Sequence, residues 1–188
     1  MQALVSLLPR PVEDEVFALW DELEARFGLK YTRVAPFPHF TWQLGESYDK
    51  SELVPLLNDM TQKLSPLRIT AHGIKTFTND APVVYVPIEK DTGLVRLHTR
   101  LWKDMQGIVF KPDKLYSPTV WQPHITLALQ DVGREKLDAV LAYLQPKLIS
   151  WQFNVDNFAL FCQPPGGVAR IEFRFQFGQG LIDFEACA

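Results

Sequence analysis

The chain has 188 residues, enough for one sizeable domain or two closely packed lobes. With 47% hydrophobic and 22% charged residues it has the composition of an ordinary folded protein. A net charge of −3 advertises no surface for long duplex nucleic acid, although a small phosphorylated ligand needs only a local pocket.

In chain order, "ALVSLLP" is a short strand. The opening "MQALVSLLPRPVEDE" lacks a basic start and turns acidic, so it is not read as a signal peptide. "VEDEVFALWDELEARFG" has helical periodicity through Val16, Leu19, Trp20, Leu23 and Phe27, with Gly28 as its stop. "HFTWQL" is a strand. "DKSELVPLLNDMTQKL" is an amphipathic helix in which Pro55 belongs near the first turn or makes a kink. "PLRITAHGIKTF" is extended. "PVVYVPI" begins a second series of elements. It is followed by a helix through Leu94, Leu97, Leu101, Trp102 and Met105, then by a loop, "KPDKLYSPTVW". Next come the strand "HITLAL", whose Ile125, Leu127 and Leu129 alternate as core residues, the helix "REKLDAVLAYLQPKL" and the extended "SWQFNVDNFALF". "VARIEFRFQF" closes the series. No run of apolar residues approaches membrane-spanning length.

The order β-α-β-α-β therefore occurs twice, over about residues 2–77 and 84–161, with a closing strand over 168–178. Trp20 and Trp102 stand 82 positions apart, Leu57 and Leu141 as well as Phe77 and Phe161 stand 84 apart, and His39 and His124 stand 85 apart. Two copies suggest two similar lobes related by a pseudo-two-fold axis across a cleft. With no flexible linker between them, residues 1–188 are expected to form one domain.

Each copy carries Pro-His-x-Thr at the start of a strand: His39 and Thr41 in "PHFTWQL", His124 and Thr126 in "PHITLAL". Residues two apart on a strand share a face, so each His and Thr point together while Phe40 and Ile125 point into core. A pseudo-two-fold brings the two pairs together. Near neutral pH one imidazole can accept a proton while the other donates one, and two hydroxyls can hold phosphoryl oxygens. Such a square suits a phosphodiester, a cyclic one above all, and needs no metal. A single H-x-T is weak evidence, since a strand histidine is usually ordinary core or edge. It is the repetition in register that gives the motif weight.

These two motifs and their separation resemble the two-histidine (2H) phosphoesterase superfamily, which includes the 2′-5′ RNA ligase-like RNA 2′,3′-cyclic phosphodiesterases. The resemblance extends over nearly the whole chain. It implies an α+β bilobal fold, two antiparallel-rich sheets flanked by helices around a central cleft. It also implies His39 and His124 as the catalytic pair, Thr41 and Thr126 as the phosphate-binding pair, and no metal or other cofactor. The expected activity is hydrolysis of 2′,3′-cyclic phosphates of nucleotides or RNA ends, to 2′-phosphates, with weak 2′-5′ ligation as the reverse reaction. A non-catalytic nucleotide-binding module on the same fold is the alternative. The two motifs are too alike to assign base and acid.

Several other residues invite a functional reading. The loop Lys111–Trp121 runs into the second motif, so Lys111, Lys114, Tyr116 and Trp121 are candidates for the cleft wall. Tyr85 and Phe173 are candidates too, with plain core as the competing reading. His72 reads as a strand-surface histidine, and His98 lies in a helix where H-T-R lacks the motif's geometry. Cys162 and Cys187 are the only cysteines. They form no framework and no C-x-x-C, so a reducing compartment and a cytoplasmic, monomeric protein are expected, with Cys162 a small buried hydrophobe.

Overall fold

Period-two burial and β-branched or aromatic residues build the strands, and capped amphipathic segments build the helices. The structure, a computed structural model, describes residues 1–78 and 81–184. The first copy holds β1 (Gln2–Leu7), α1 (Val12–Phe27), β2 (His39–Gly45), β3 (Ser47–Tyr48), α2 (Lys50–Gln62), β4 (Leu67–His72) and β5 (Lys75–Phe77). The second holds β6 (Val83–Pro87), α3 (Thr92–Asp104), β7 (Val109–Phe110), β8 (His124–Leu129), α4 (Gly133–Leu144), β9 (Ser150–Val155) and β10 (Asn157–Cys162). β11 (Arg170–Gln176) and β12 (Gly180–Phe184) follow.

The expected helices are present. α1 opens with Glu13, Asp14 and Glu15, where the helix dipole favours acids, and ends on left-handed Gly28, whose N–H bonds the Glu24 carbonyl at 2.9 Å. Asp49 and Asp91 cap α2 and α3 by accepting backbone N–H groups from Ser51 and Leu94. Pro55 lies inside α2 rather than in its first turn. Each long extended segment breaks in two at the same relative place, into β4 and β5 and into β9 and β10. The short β3–β7 pair and β12 are additions that periodicity over so few residues does not reveal.

The pairing of strands is exchanged between the copies. One sheet has the order β12-β11-β10-β1-β2 and another has β5-β6-β8. The central strand of each copy, β1 or β6, is thus flanked by its own motif strand and by a strand from the other copy, β10 or β5, always antiparallel. β4 and β9, equivalent strands of the two copies, pair with each other between the lobes. The helices cross over as well. Trp20 of α1 reaches β8, donating its indole N–H to the Thr126 carbonyl at 3.0 Å, while His98 of α3 contacts the Trp42 carbonyl of β2 at 3.1 Å. One continuous apolar core, including Leu4, Phe40 and Trp42 of the first copy and Val84, Ile125 and Leu127 of the second, joins both sheets. Burial of this shared core is what makes the lobes one body.

Cys162 is buried in β10 and is not a free thiol: it is disulfide-bonded. The expectation of reduced cysteines therefore fails at this position, and with it the inference from cysteine usage to a reducing compartment. Cys187 lies outside the described residues. No helix among the described residues is long and apolar enough to cross a membrane.

Candidate active site

Both motif strands are sheet edges, β2 in one lobe and β8 in the other, and the two edges come together. Phe40 and Ile125 are fully buried, as their faces require, whereas His39, Thr41, His124 and Thr126 are half-buried. All four line one cavity of about 740 Å³, within the usual roughly 300–1,000 Å³ of a small-molecule site.

The backbone holds the two histidines in the same way. Nδ1 of His39 lies 2.7 Å from the Phe37 carbonyl, and Nδ1 of His124 lies 2.6 Å from the Gln122 carbonyl, each two residues upstream. A carbonyl oxygen only accepts, so Nδ1 carries the proton and Nε2 is left for chemistry. An aromatic ring from the opposite copy packs edge-on against each imidazole: Phe161 on His39 with centroids 5.5 Å apart, and Phe77 on His124 at 5.2 Å. The strand exchange is what delivers these rings, β10 carrying Phe161 and β5 carrying Phe77. The spacing of 84 residues had marked them as equivalent, but gave no reason to place them against the histidines.

A register shift follows each threonine. Val5 pairs with Thr41 but Leu4 with Gln43, leaving Trp42 as the extra residue. Likewise Tyr85 pairs with Thr126 but Val84 with Ala128, leaving Leu127. A bulge of this kind reverses the facing of everything beyond it. Leu44 and Leu129 consequently join the cavity wall. This corrects the simple alternation in "HITLAL", in which Leu129 belonged to the core face with Ile125 and Leu127.

Edge strands present unpaired backbone groups, and here indoles satisfy two of them. Trp20 takes the Thr126 carbonyl, and Trp121 donates to the Thr41 carbonyl at 3.0 Å. Trp121 stacks flat on His98, with centroids 3.7 Å apart and planes 3° apart, and lies 5.5 Å from Trp42. Sequence reasoning dismissed His98 as helical. Its ring, 2% exposed, is in fact part of the support beneath the motif strand. His72 is a surface histidine, as expected, 3.2 Å from Glu89.

Of the loop candidates, Tyr116 and Trp121 line the cavity. Lys111, Lys114 and Tyr85 do not line it. Lys111 pairs with Glu46 at 2.7 Å on the outside. Lys114 is in the turn Lys114–Tyr116, whose cavity contacts come from Asp113, Leu115 and Tyr116. Tyr85, on the central strand β6, is 5% exposed and supports His124 with centroids 4.9 Å apart. Phe173 does not line the cavity either; it packs against the main core. Thr32, on the facing wall, went unnoticed in the sequence. Asp131 fixes its turn by accepting the N–H groups of Lys30 and Tyr31 at 2.7 and 2.8 Å.

Burial pushes the His39 ring down to about 4, against the Phe37 hydrogen bond, and positive charge on His124 lowers it further. Burial also lowers His124, opposed by its bond to Gln122. Tyr116 is pushed up to about 12 by burial and by Asp113, so its hydroxyl keeps its proton at neutral pH. Among the described residues, no group of three or more His, Cys, Asp or Glu is placed to hold a metal ion.

His98 is also held down, to about 4, chiefly by burial. The unfolded chain binds this proton near pH 6.5, well before the native state does. The ring's contribution is therefore full above pH 6.5 and is lost as pH falls towards 4. It amounts to about 3 kcal/mol. Chemical denaturation of the wild type and of His98→Phe between pH 7 and 4.5 should show a clearly flatter pH dependence in the variant, which keeps the flat ring but not the proton. Equal slopes would refute a neutral buried His98.

The family model for the 2′-5′ RNA ligase superfamily matches residues 10–163. The crystal structure of TT0787 from Thermus thermophilus superposes with a TM-score of 0.66 at 21% sequence identity, covering 95% of this chain and 98% of that one. No curated protein matches. The fold is thus that of the two-histidine phosphoesterases. The chain belongs to the 2′-5′ RNA ligase superfamily, whose membership supports phosphoesterase or ligase-type activity on this fold.

Proposed function

We propose that the chain is a cyclic phosphodiesterase that opens 2′,3′-cyclic phosphates of nucleotides or RNA ends to 2′-phosphates without a metal. The observation that carries this reading is the convergence of both His-Thr pairs on one cavity, with both Nε2 atoms left for proton transfer.

A cyclic phosphate seated between the rings would have its non-bridging oxygens held by the Thr41 and Thr126 hydroxyls. A neutral imidazole takes a proton from water through Nε2 as the water oxygen bonds to phosphorus. The P–O bond to the 3′ oxygen breaks, and the opposite imidazolium gives that oxygen its proton. One proton passes from ring to ring, and the cycle closes when it returns through solvent. Because both rings have the same hydrogen bonding, the lie of the substrate decides which is base. With a 5′-hydroxyl in place of water, the same steps would join that oxygen to the 2′-phosphate as the 3′ oxygen leaves, which accounts for weak 2′-5′ ligation. Tyr116, which lines the same cavity and keeps its proton at neutral pH, would offer the phosphate a further hydrogen-bond donor.

The test is turnover of a panel of 2′,3′-cyclic nucleotides in the presence of EDTA, with product analysis. Retained activity and 2′-phosphate products are expected. Loss in EDTA, restored by a divalent ion, would replace this mechanism with a metal-dependent one. The pH profile is a second check. The active free enzyme has one ring neutral and one protonated, and both rings lie below the usual histidine value. The maximum of kcat/KM is therefore expected below about pH 6.5, with a fall approaching tenfold per unit on the alkaline side. A flat profile, or a maximum above about pH 7.5, would contradict paired-histidine catalysis in this cavity.

A further inference from the structure

The cavity is poor in positive charge. Among the described residues that line it there is no Lys and no Arg, and Asp113 is the one lining carboxylate. Residues 79–80 and 185–188, outside the described set, include no Lys or Arg either. Arg33 pairs with Asp21 and Glu24, Lys111 with Glu46, and Lys90 with the backbone carbonyl of Trp121, while Lys114 is exposed in the turn beside Asp113 and is not part of the cavity wall. Meanwhile the walls are largely apolar and aromatic, with Tyr31, Leu44, Phe77, Leu115, Trp121 and Phe161 among them.

A cyclic phosphodiester carries one negative charge, and one imidazolium between the motif strands balances it. A second phosphate on the same ligand meets no cation on these walls. Asp113 stands on the same walls, and a second phosphate coming within a Debye length of about 8 Å of its carboxylate would be repelled rather than screened. An RNA strand adds a charge per nucleotide, and recognition of such a polyanion rests on Lys and Arg along its path. The apolar and aromatic walls suit the flat face of a base or another nonpolar body.

We propose that this cavity selects a small ligand whose single charge is its cyclic phosphodiester and whose body is aromatic or apolar, and that it discriminates against ligands bearing further phosphates, RNA strands included. The proposal rests on the cyclic phosphodiesterase reading and narrows its substrate class. Asp113 acts as the discriminating residue. It is fixed in place because its carboxylate accepts the Leu115 N–H at 2.9 Å and its own N–H bonds the Leu44 carbonyl at 2.8 Å.

The experiment compares three substrates on the intact chain: a nucleoside 2′,3′-cyclic monophosphate, the same compound with an added 5′-phosphate, and a short oligoribonucleotide ending in a 2′,3′-cyclic phosphate. Each is assayed for kcat/KM, and for affinity by calorimetry, between roughly 50 and 200 mM salt. The first compound should be preferred over the second by about tenfold, with little salt dependence. Asp113→Asn keeps the turn's acceptor but removes the charge, and should narrow that ratio several-fold. Preference for the oligonucleotide or the 5′-phosphorylated compound would overturn the proposal, as would affinity for the first compound that falls steeply with salt, or an unchanged ratio in Asp113→Asn. If none of the three is turned over, the enzymatic reading fails, and the order of affinities still decides the selectivity.

Discussion

Replacing His39 or His124 with Ala should lower kcat/KM for a 2′,3′-cyclic nucleotide by about 10²–10⁴-fold each, the range that general acid–base groups contribute. Each ring is half-buried and bonds only to a backbone carbonyl two residues upstream, so the fold should survive the change. The two rings act on one proton path. The double variant should therefore be little worse than either single one, because groups acting as a unit are far from additive. Turnover by single-site titration, with circular dichroism to confirm folding, measures this. Full activity in either single variant would remove paired-histidine catalysis. It would leave the non-catalytic nucleotide-binding alternative in its place, since a binder has no need of both proton-transfer groups.

Trp121→Ala should cost about 3–5 kcal/mol of stability, as a buried core aromatic cut to a methyl does. The indole is 2% exposed, stacks on His98 and Trp42, and bonds the Thr41 carbonyl. Its removal opens a cavity directly beneath the first motif strand. Trp121→Phe separates the two contributions. It keeps a ring against His98 but loses the N–H, so stability should fall by only about 1–2 kcal/mol. Turnover should fall more than that loss of fold accounts for, through a lower kcat, because the Thr41 edge is no longer held. Urea denaturation and steady-state kinetics on the same preparations decide this. Unchanged kcat in Trp121→Phe would reduce the indole to simple packing.

What was legible in the sequence was local. Residues two apart on a strand must share a face, so the pairing of His39 with Thr41 and of His124 with Thr126 followed from spacing alone, as did the burial of Phe40 and Ile125. The helix starts and stops were legible for the same reason: Gly28 and the acidic first turn of α1 act within a few residues of themselves. Lys111 and Lys114 were misplaced because a loop's course towards a motif says nothing about which side chains turn inward, and Lys111 finds Glu46 instead. The role of His98 was hidden because its partner, Trp121, is 23 residues away in a different element.

By itself, the sequence determined the duplicated frame, the residue types at its centre and the side of each strand on which they lie. All of these follow from short-range backbone geometry repeated twice. Tertiary structure alone decided the exchange of β5 and β10 between the copies, and with it the placement of Phe77 and Phe161 against the histidines. It also decided the bulges after Thr41 and Thr126 that turn Leu44 and Leu129 inward, and the choice of walls, which have no Lys or Arg among the described residues that line the cavity. A hydrophobic period fixes which face of a strand is buried, but not which strand lies beside it or where the register slips. Those choices are made by packing between residues far apart in the chain. In this protein such packing turns two ordinary edge strands into one cleft.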